Sequence, residues 1–304
     1  MRARLGINNC FALKRWPRPE DWAQVVRDEL DLNLVELSLD LVEGLDTPAE
    51  RALSVERTRA ALEKHGLRAE TTFTGLTAYG LNLLMHPDPE RRDAALRWYR
   101  MVIDVTAQLG AEATGGHVST MSVPDWKDPT RRSARWSDLR RALIEISGHA
   151  RDVGLSHFLI ENLVSLREPA TMDGVEELLT EGGAAHVPVR LCLDVGHQCV
   201  AGTEGDERDP YAWLQHFGSR LVEVQLQQSD ALGDHHWPFT PERNATGRIE
   251  PGRVLDTLTA SGAEDVLLIL EIIPAWEEDD GQVMEGLRAS VELWKDALQR
   301  RGLQ

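Results

Sequence analysis

Four polar side chains interrupt apolar runs in the second half of the chain: Glu161 in FLIENL, Asp194 in LCLDVGH, Gln225 in VEVQLQQ and Glu271 in LLILEII. A carboxylate buried without a partner is costly, so each of these must meet a donor or a cation. Three anions and an amide brought to one place would repel one another unless a cation lay between them. An all-oxygen donor set suits a hard divalent ion, Mn²⁺ or Mg²⁺, better than zinc. Gln225 is the neutral member of the proposed metal set, and Gln227, of the same strand parity, is the alternative fourth ligand. The competing reading is a set of strand-end caps that never share a site.

Other residue types suited to binding lie close by in sequence. His197 follows Asp194 by three positions and can bond a substrate hydroxyl or cap the turn; His117, after Gly115 and Gly116, either lines a pocket or packs. His236 stands beside Trp237 and Phe239, an aromatic group able to close a site, with His235 facing solvent. Lys14 and Arg15, next to Trp16, offer a point charge and a fork for a phosphate. Their alternative is pairing at the surface with Glu20 and Asp21, and Arg248 is a comparable cation.

Positioning these residues requires strands. Eight short apolar runs, at 4–10, 34–40, 68–75, 112–119, 157–163, 189–197, 221–230 and 265–274, alternate with amphipathic helical stretches. That alternation predicts a parallel sheet with crossover helices. Pro19, Pro89 and Pro251 suit first helical turns, and Gly66, Gly110, Gly154 and Gly262 suit helix ends. Without a linker or a G-x-G-x-x-G turn, the expectation is one domain over 1–304, a (β/α)8 TIM barrel of the α/β class. The four polar residues then fall at strand ends, where barrel active sites are built. Two longer loops, 76–90 and 231–250, belong to the same face.

Composition narrows the partners. With 33 basic against 50 acidic residues and a net charge of −17, a general nucleic-acid binder is not expected. No run approaches a membrane span, and MRARLGINN does not read as a signal peptide. Cys10, Cys192 and Cys199 are too few and too irregular for a disulfide framework, so reduced thiols and a cytoplasmic setting are expected. Of the nine tryptophans, Trp22, Trp98, Trp136 and Trp294 lie on helical stretches and read as packing.

LIEN, LDVGH, the polar seventh strand and LEI together resemble the sugar isomerase/epimerase group of xylose-isomerase-like barrels, which includes ketose 3-epimerases and hydroxypyruvate isomerase. Where ketose 3-epimerases usually carry His on the seventh strand, this chain has Gln225, as hydroxypyruvate isomerase-like members do. Asp234 and His236 match an Asp-x-His in relatives, but the Pro-Gly-x-Gly turn that follows there is absent. The resemblance implies a divalent-metal-dependent isomerase or epimerase of a short ketose or ketose phosphate, such as a tetrulose phosphate. Its catalytic residues would be Glu161 and Glu271, passing a proton through an enediolate, in a homodimer or homotetramer. Two other classes remain open: an apurinic-site endonuclease-like phosphodiesterase, which wants more histidines and a basic face, and a non-catalytic sugar-binding barrel.

Overall fold

The computed structural model describes residues 1–42 and 47–303. Its strands are β1 (Arg2–Asn8), β2 (Leu34–Ser38), β3 (Arg68–Phe73), β4 (Ala113–Gly116), β5 (His157–Glu161), β6 (Val189–Asp194), β7 (Glu223–Leu226) and β8 (Asp265–Leu270). All pair in parallel in chain order, and β1 also pairs with β8, closing an eight-stranded barrel. The helices are α1 (Pro19–Gln24), α2 (Pro48–His65), α3 (Leu76–Tyr79), α4 (Pro89–Leu109), α5 (Val123–Lys127) and α6 (Pro129–Asp152). They continue with α7 (Met172–Glu176), α8 (Pro210–Phe217), α9 (Pro241–Asn244), α10 (Pro251–Ala260) and α11 (Asp280–Arg301). The expected (β/α)8 barrel is the observed fold.

Local chemistry sets the helix ends. Pro19, Pro89 and Pro251 each open a helix, and Asp88 caps α4 by accepting from Glu90 N. Gly66 and Gly110 end α2 and α4 in the left-handed conformation. Gly154 and Gly262 are left-handed too, but each lies one residue beyond the cap, which is Val153 or Ser261. Trp22 and Trp294 are fully buried in the main core, where Trp98 and Trp136 also pack.

Every strand ends short of the apolar run that announced it. At the ends of β5 and β6 the reason is Asn162, whose side-chain oxygen accepts from Asp194 N (2.8 Å) while its amide donates to Asp194 O (3.0 Å). A side chain replaces the ladder there, so the chain leaves the sheet while still buried.

The interior of the barrel is not uniformly apolar. Below the strand ends, Glu36 accepts from Asn8 (2.7 Å), from Thr71 (3.3 Å) and, across the barrel, from Gln225 (3.2 Å). Glu223 accepts from the Cys192 thiol (3.1 Å). Burial and the neighbouring Glu223 raise Glu36 well above the carboxylate range, and burial raises Glu223 in the same direction. A carboxyl raised on folding stabilises fully below its unfolded value, near 4.5, and that contribution is lost as pH rises toward the folded value. Glu36→Gln, which cannot ionise, is therefore expected to lose less stability than the parent between pH 5 and pH 8. The difference should be about 1.4 kcal/mol for each unit by which folding raises the group. Urea melts at the two pH values check it, and parallel losses would refute a raised Glu36.

Candidate active site

Asn162 fixes β5 against β6 and also holds the His197 ring, whose Nδ1 lies 2.7 Å from Asn162 O. That contact makes Nδ1 a donor and turns Nε2 toward Asp194 (3.8 Å) and Asp234 (3.3 Å). Asp194 in turn accepts from Gly196 N at 2.6 Å. Gly196 has no substitute here, because a Cβ would stand 2.3 Å from the Gln227 side chain.

Gln227, just past the end of β7, donates to both oxygens of Asp194 at 3.1 Å and accepts from His236 N at 2.6 Å. The loop after β7 turns back through left-handed Ala231 and His236 and bridges Gln228 to Trp237. This brings His236 over the site: Nε2 lies 3.0 Å from Asp234 and Nδ1 3.2 Å from Glu271 O, with its ring 5.5 Å from that of His197. Glu271, held to Leu226 O through its own N–H (3.0 Å), completes the group.

Glu161, Asp194 and Glu271 present carboxylate oxygens within 4.8 Å of one another, and Asp194, His197 and His236 form a second set of the same compactness. All five residues are buried. Burial pushes Glu161 up to about 8, with Asp194 adding to the shift while His197 and Tyr79 oppose it. Burial, Glu161 and Asp194 hold Glu271 well above its usual range. For His197, burial works downward, but Asp194, Asp234 and Glu161 outweigh it and raise the ring well above its ordinary value. Asp234 goes the other way: despite burial, the two histidines keep it far below the carboxylate range. Glu161 Oε1, Glu271 Oε2 and His197 Nε2 are buried with no hydrogen-bond partner. Crowded anions with unpartnered oxygens call for positive charge, and one divalent cation among them fits that demand.

The expected residues do not all converge. Gln225 sits on Glu36, in the layer beneath, rather than with the carboxylates; its position in VEVQLQQ is one inward-facing step too deep. Gln227, the alternative, lies beside Asp194, with its amide on that carboxylate and its oxygen on His236 N. His117 is fully buried, its Nε2 on Leu81 O (3.2 Å) and its ring stacked on Tyr79 (5.1 Å), and burial lowers it to about 4. It thus backs the site through Tyr79. The glycines before it do allow close approach, since a Cβ on Gly115 would lie 2.0 Å from Leu159 O.

Lys14 lies over the Trp276 ring (4.4 Å) at the wall of a cavity of about 450 Å³ that also includes Asp40, Thr74 and Leu81. Arg15 is instead committed to structure: its guanidinium pairs with Asp280 and donates to Ala275 O (2.6 Å), tying the loop after β8 to the start of α11. Neither Glu20 nor Asp21 is its partner, because these pair with Arg57 and Arg18. Arg248 donates to Arg208 O (3.2 Å) and is likewise a backbone clamp. His235 does not simply face solvent, but stacks on Trp237 at 3.9 Å and meets Asp230.

Tyr79, on α3, went unnoticed in the sequence, where it is one aromatic in a loop without a motif. Its hydroxyl donates to Glu161 Oε2 at 2.5 Å.

The family model of xylose isomerase-like TIM barrels matches residues 29–297. The chain belongs to that family. It is 28% identical over 304 residues to the D-erythrulose 1-phosphate 3-epimerase of Brucella abortus (strain 2308), covering 97% of this chain and 96% of that protein. A solved structure from Rhodospirillum rubrum ATCC 11170, described as a putative xylose isomerase, superposes with a TM-score of 0.88 at 31% identity, over 97% of this chain and 99% of that one. The D-psicose 3-epimerase of Clostridium cellulolyticum H10, solved with D-tagatose, shares the fold at 15% identity, with a TM-score of 0.71 and coverage of 97% and 99%. The Brucella and Rhodospirillum matches, over nearly the whole of this chain and of theirs, make it an enzyme of the isomerase and epimerase kind. Among the described residues no helix is long and apolar enough to cross a membrane.

Proposed function

We propose that this family member is a divalent-cation-dependent 3-epimerase of a short ketose phosphate. The observation that carries the reading is the convergence of Glu161 and Glu271, from β5 and β8, with unpartnered oxygens beside Asp194. Epimerisation beside a carbonyl needs one group to remove a proton and another to return it on the opposite face. Two carboxylates reaching in from well-separated strands meet that requirement. A bound cation, Mn²⁺ or Mg²⁺ by the hardness of the oxygen donors, would polarise the carbonyl and stabilise the enediolate.

Glu161, Asp194, Glu271 and Gln227 are the residues that would hold the cation, with Gln227 in place of Gln225. His197 and His236 are aimed at the same point and would bond substrate oxygens. Lys14, the cation at the cavity wall not committed to a backbone clamp, is the candidate for the phosphate; Arg15 is not. The named activity of the Brucella relative, on a ketose 1-phosphate, supports this substrate class.

The ligand assignment has its own test. Gln227→Ala is expected to weaken Mn²⁺ binding about 10–100-fold, the usual cost of losing a group that holds or orients a metal ligand, while Gln225→Ala should change it little. Calorimetric titration of both variants decides, and the reverse order would restore Gln225. For the activity, a screen of ketoses and ketose phosphates of three to six carbons with added Mn²⁺ should give turnover on a phosphorylated tetrulose or its neighbours. Turnover confined to unphosphorylated sugars would refute the phosphate assignment.

A further inference from the structure

Glu161 and Glu271 have different surroundings, although the reaction assigns them mirror-image tasks. Glu161 Oε2 accepts a short hydrogen bond from Tyr79 (2.5 Å), while Oε1 has no hydrogen-bond partner and lies 3.4 Å from His197 Nδ1. Glu271 Oε2 is unpartnered, 3.5 Å from His236 Nδ1, with no hydroxyl recorded on it among the described residues.

The phenol is held in place from three directions. Asp40, after β2, accepts from Leu76 N (2.5 Å) and Thr77 N (3.2 Å), pinning the single turn of α3. Gly75, at φ +83°, lets that turn close on the carboxylate; a Cβ there would stand 2.4 Å from Asp40. The ring stacks on His117 at 5.1 Å and 24°, and His117 is itself fixed on Leu81 O. So much scaffolding around one hydroxyl, aimed at one oxygen of a buried acid, is more than packing requires.

We infer that Tyr79 is the positioning residue for Glu161: by occupying Oε2 it leaves Oε1 as the oxygen that would meet a bound cation and the substrate carbon. The inference rests on the reading above, in which Glu161 is both a ligand and a proton carrier. It also accounts for an α3 turn built across the top of the barrel between β3 and β5, since without it the Glu161 carboxyl could rotate between two equivalent settings.

Tyr79→Phe keeps the ring on His117 and removes only the hydroxyl. It is expected to lower kcat about 10-fold or more, with KM within about twofold, because the substrate contacts are intact. It should also weaken Mn²⁺ binding severalfold, measured by calorimetry on the apo protein. The deciding readout is a double-mutant cycle on that affinity: in a Glu161→Gln background, Tyr79→Phe should cost nothing further, whereas an indirect structural effect would add in full. Full additivity, or a wild-type-like Tyr79→Phe beside an impaired Tyr79→Leu, overturns the inference and reduces Tyr79 to packing. A parent chain that neither binds Mn²⁺ nor turns over any ketose phosphate overturns the functional reading itself, and this role with it.

Discussion

Replacing Glu271 by Gln is expected to cut epimerisation by about 10²–10⁴-fold, the range over which a positioned acid–base group contributes, with a melting temperature close to that of the parent. The fold should tolerate the change because Glu271 is anchored by its backbone, through its N–H on Leu226 and its carbonyl on the His236 ring, and not by its carboxyl. Glu161→Gln should fall in rate by a comparable factor. The two variants should differ in stereochemistry: each retains one carboxylate, so each should still exchange the carbon-bound proton of one epimer faster than that of the other. Solvent deuterium uptake from both epimers, followed by NMR, distinguishes this from uniform loss. Undiminished exchange in both variants would rule out the two-glutamate mechanism.

Stripping the protein of divalent ions is expected to abolish turnover, with recovery on adding Mn²⁺. The electrostatics predict how pH enters. In the ion-free protein, burial lifts Glu161 to about 8, so it holds its proton near neutrality, and burial shifts Glu271 in the same direction. A cation must displace that proton, so its apparent affinity should rise from pH 6 to pH 8, with proton release on binding. Stability follows the same sign. Acids whose values rise on folding stabilise below their unfolded range, and that contribution disappears as pH climbs through about 8 for Glu161. The ion-free protein should therefore melt lower at pH 9 than at pH 6. Mn²⁺ at about 100 times its dissociation constant should restore about 2.7 kcal/mol. Calorimetric scans with and without chelator check both signs; a melting temperature indifferent to Mn²⁺ at either pH would remove the cation from the account.

How far the sequence announced this site depends on which residue is considered. Glu161, Asp194 and Glu271 were legible because each breaks an apolar strand-like run, and such a break has few explanations inside a barrel. Gln225 and Gln227 show the limit: they share a parity, and parity says which face a residue takes but not which layer. The layer is set by what each reaches, Glu36 for Gln225 and Asp194 with the His236 loop for Gln227, and neither leaves a periodic trace. For Arg15 the sequence offers only a phosphate fork or pairing with nearby Glu20 and Asp21, because its partners, Asp280 and Ala275, lie more than 250 positions away. Glu36 and Glu223 are hidden for the opposite reason, since two acids within apolar strands look like ordinary alternation until the closed barrel sets them against each other. Tyr79 depends wholly on tertiary structure, as its turn is held by Asp40 and its ring by His117.

The central claim is proton transfer at the carbon beside a ketose carbonyl, between Glu161 and Glu271. Its most direct test is to incubate the Mn²⁺-loaded protein with a tetrulose 1-phosphate in D₂O and follow the sugar by NMR. The account predicts inversion at C3 with one deuterium at that carbon in the product. Turnover without deuterium at C3, or deuterium at C1 with migration of the carbonyl, would contradict it.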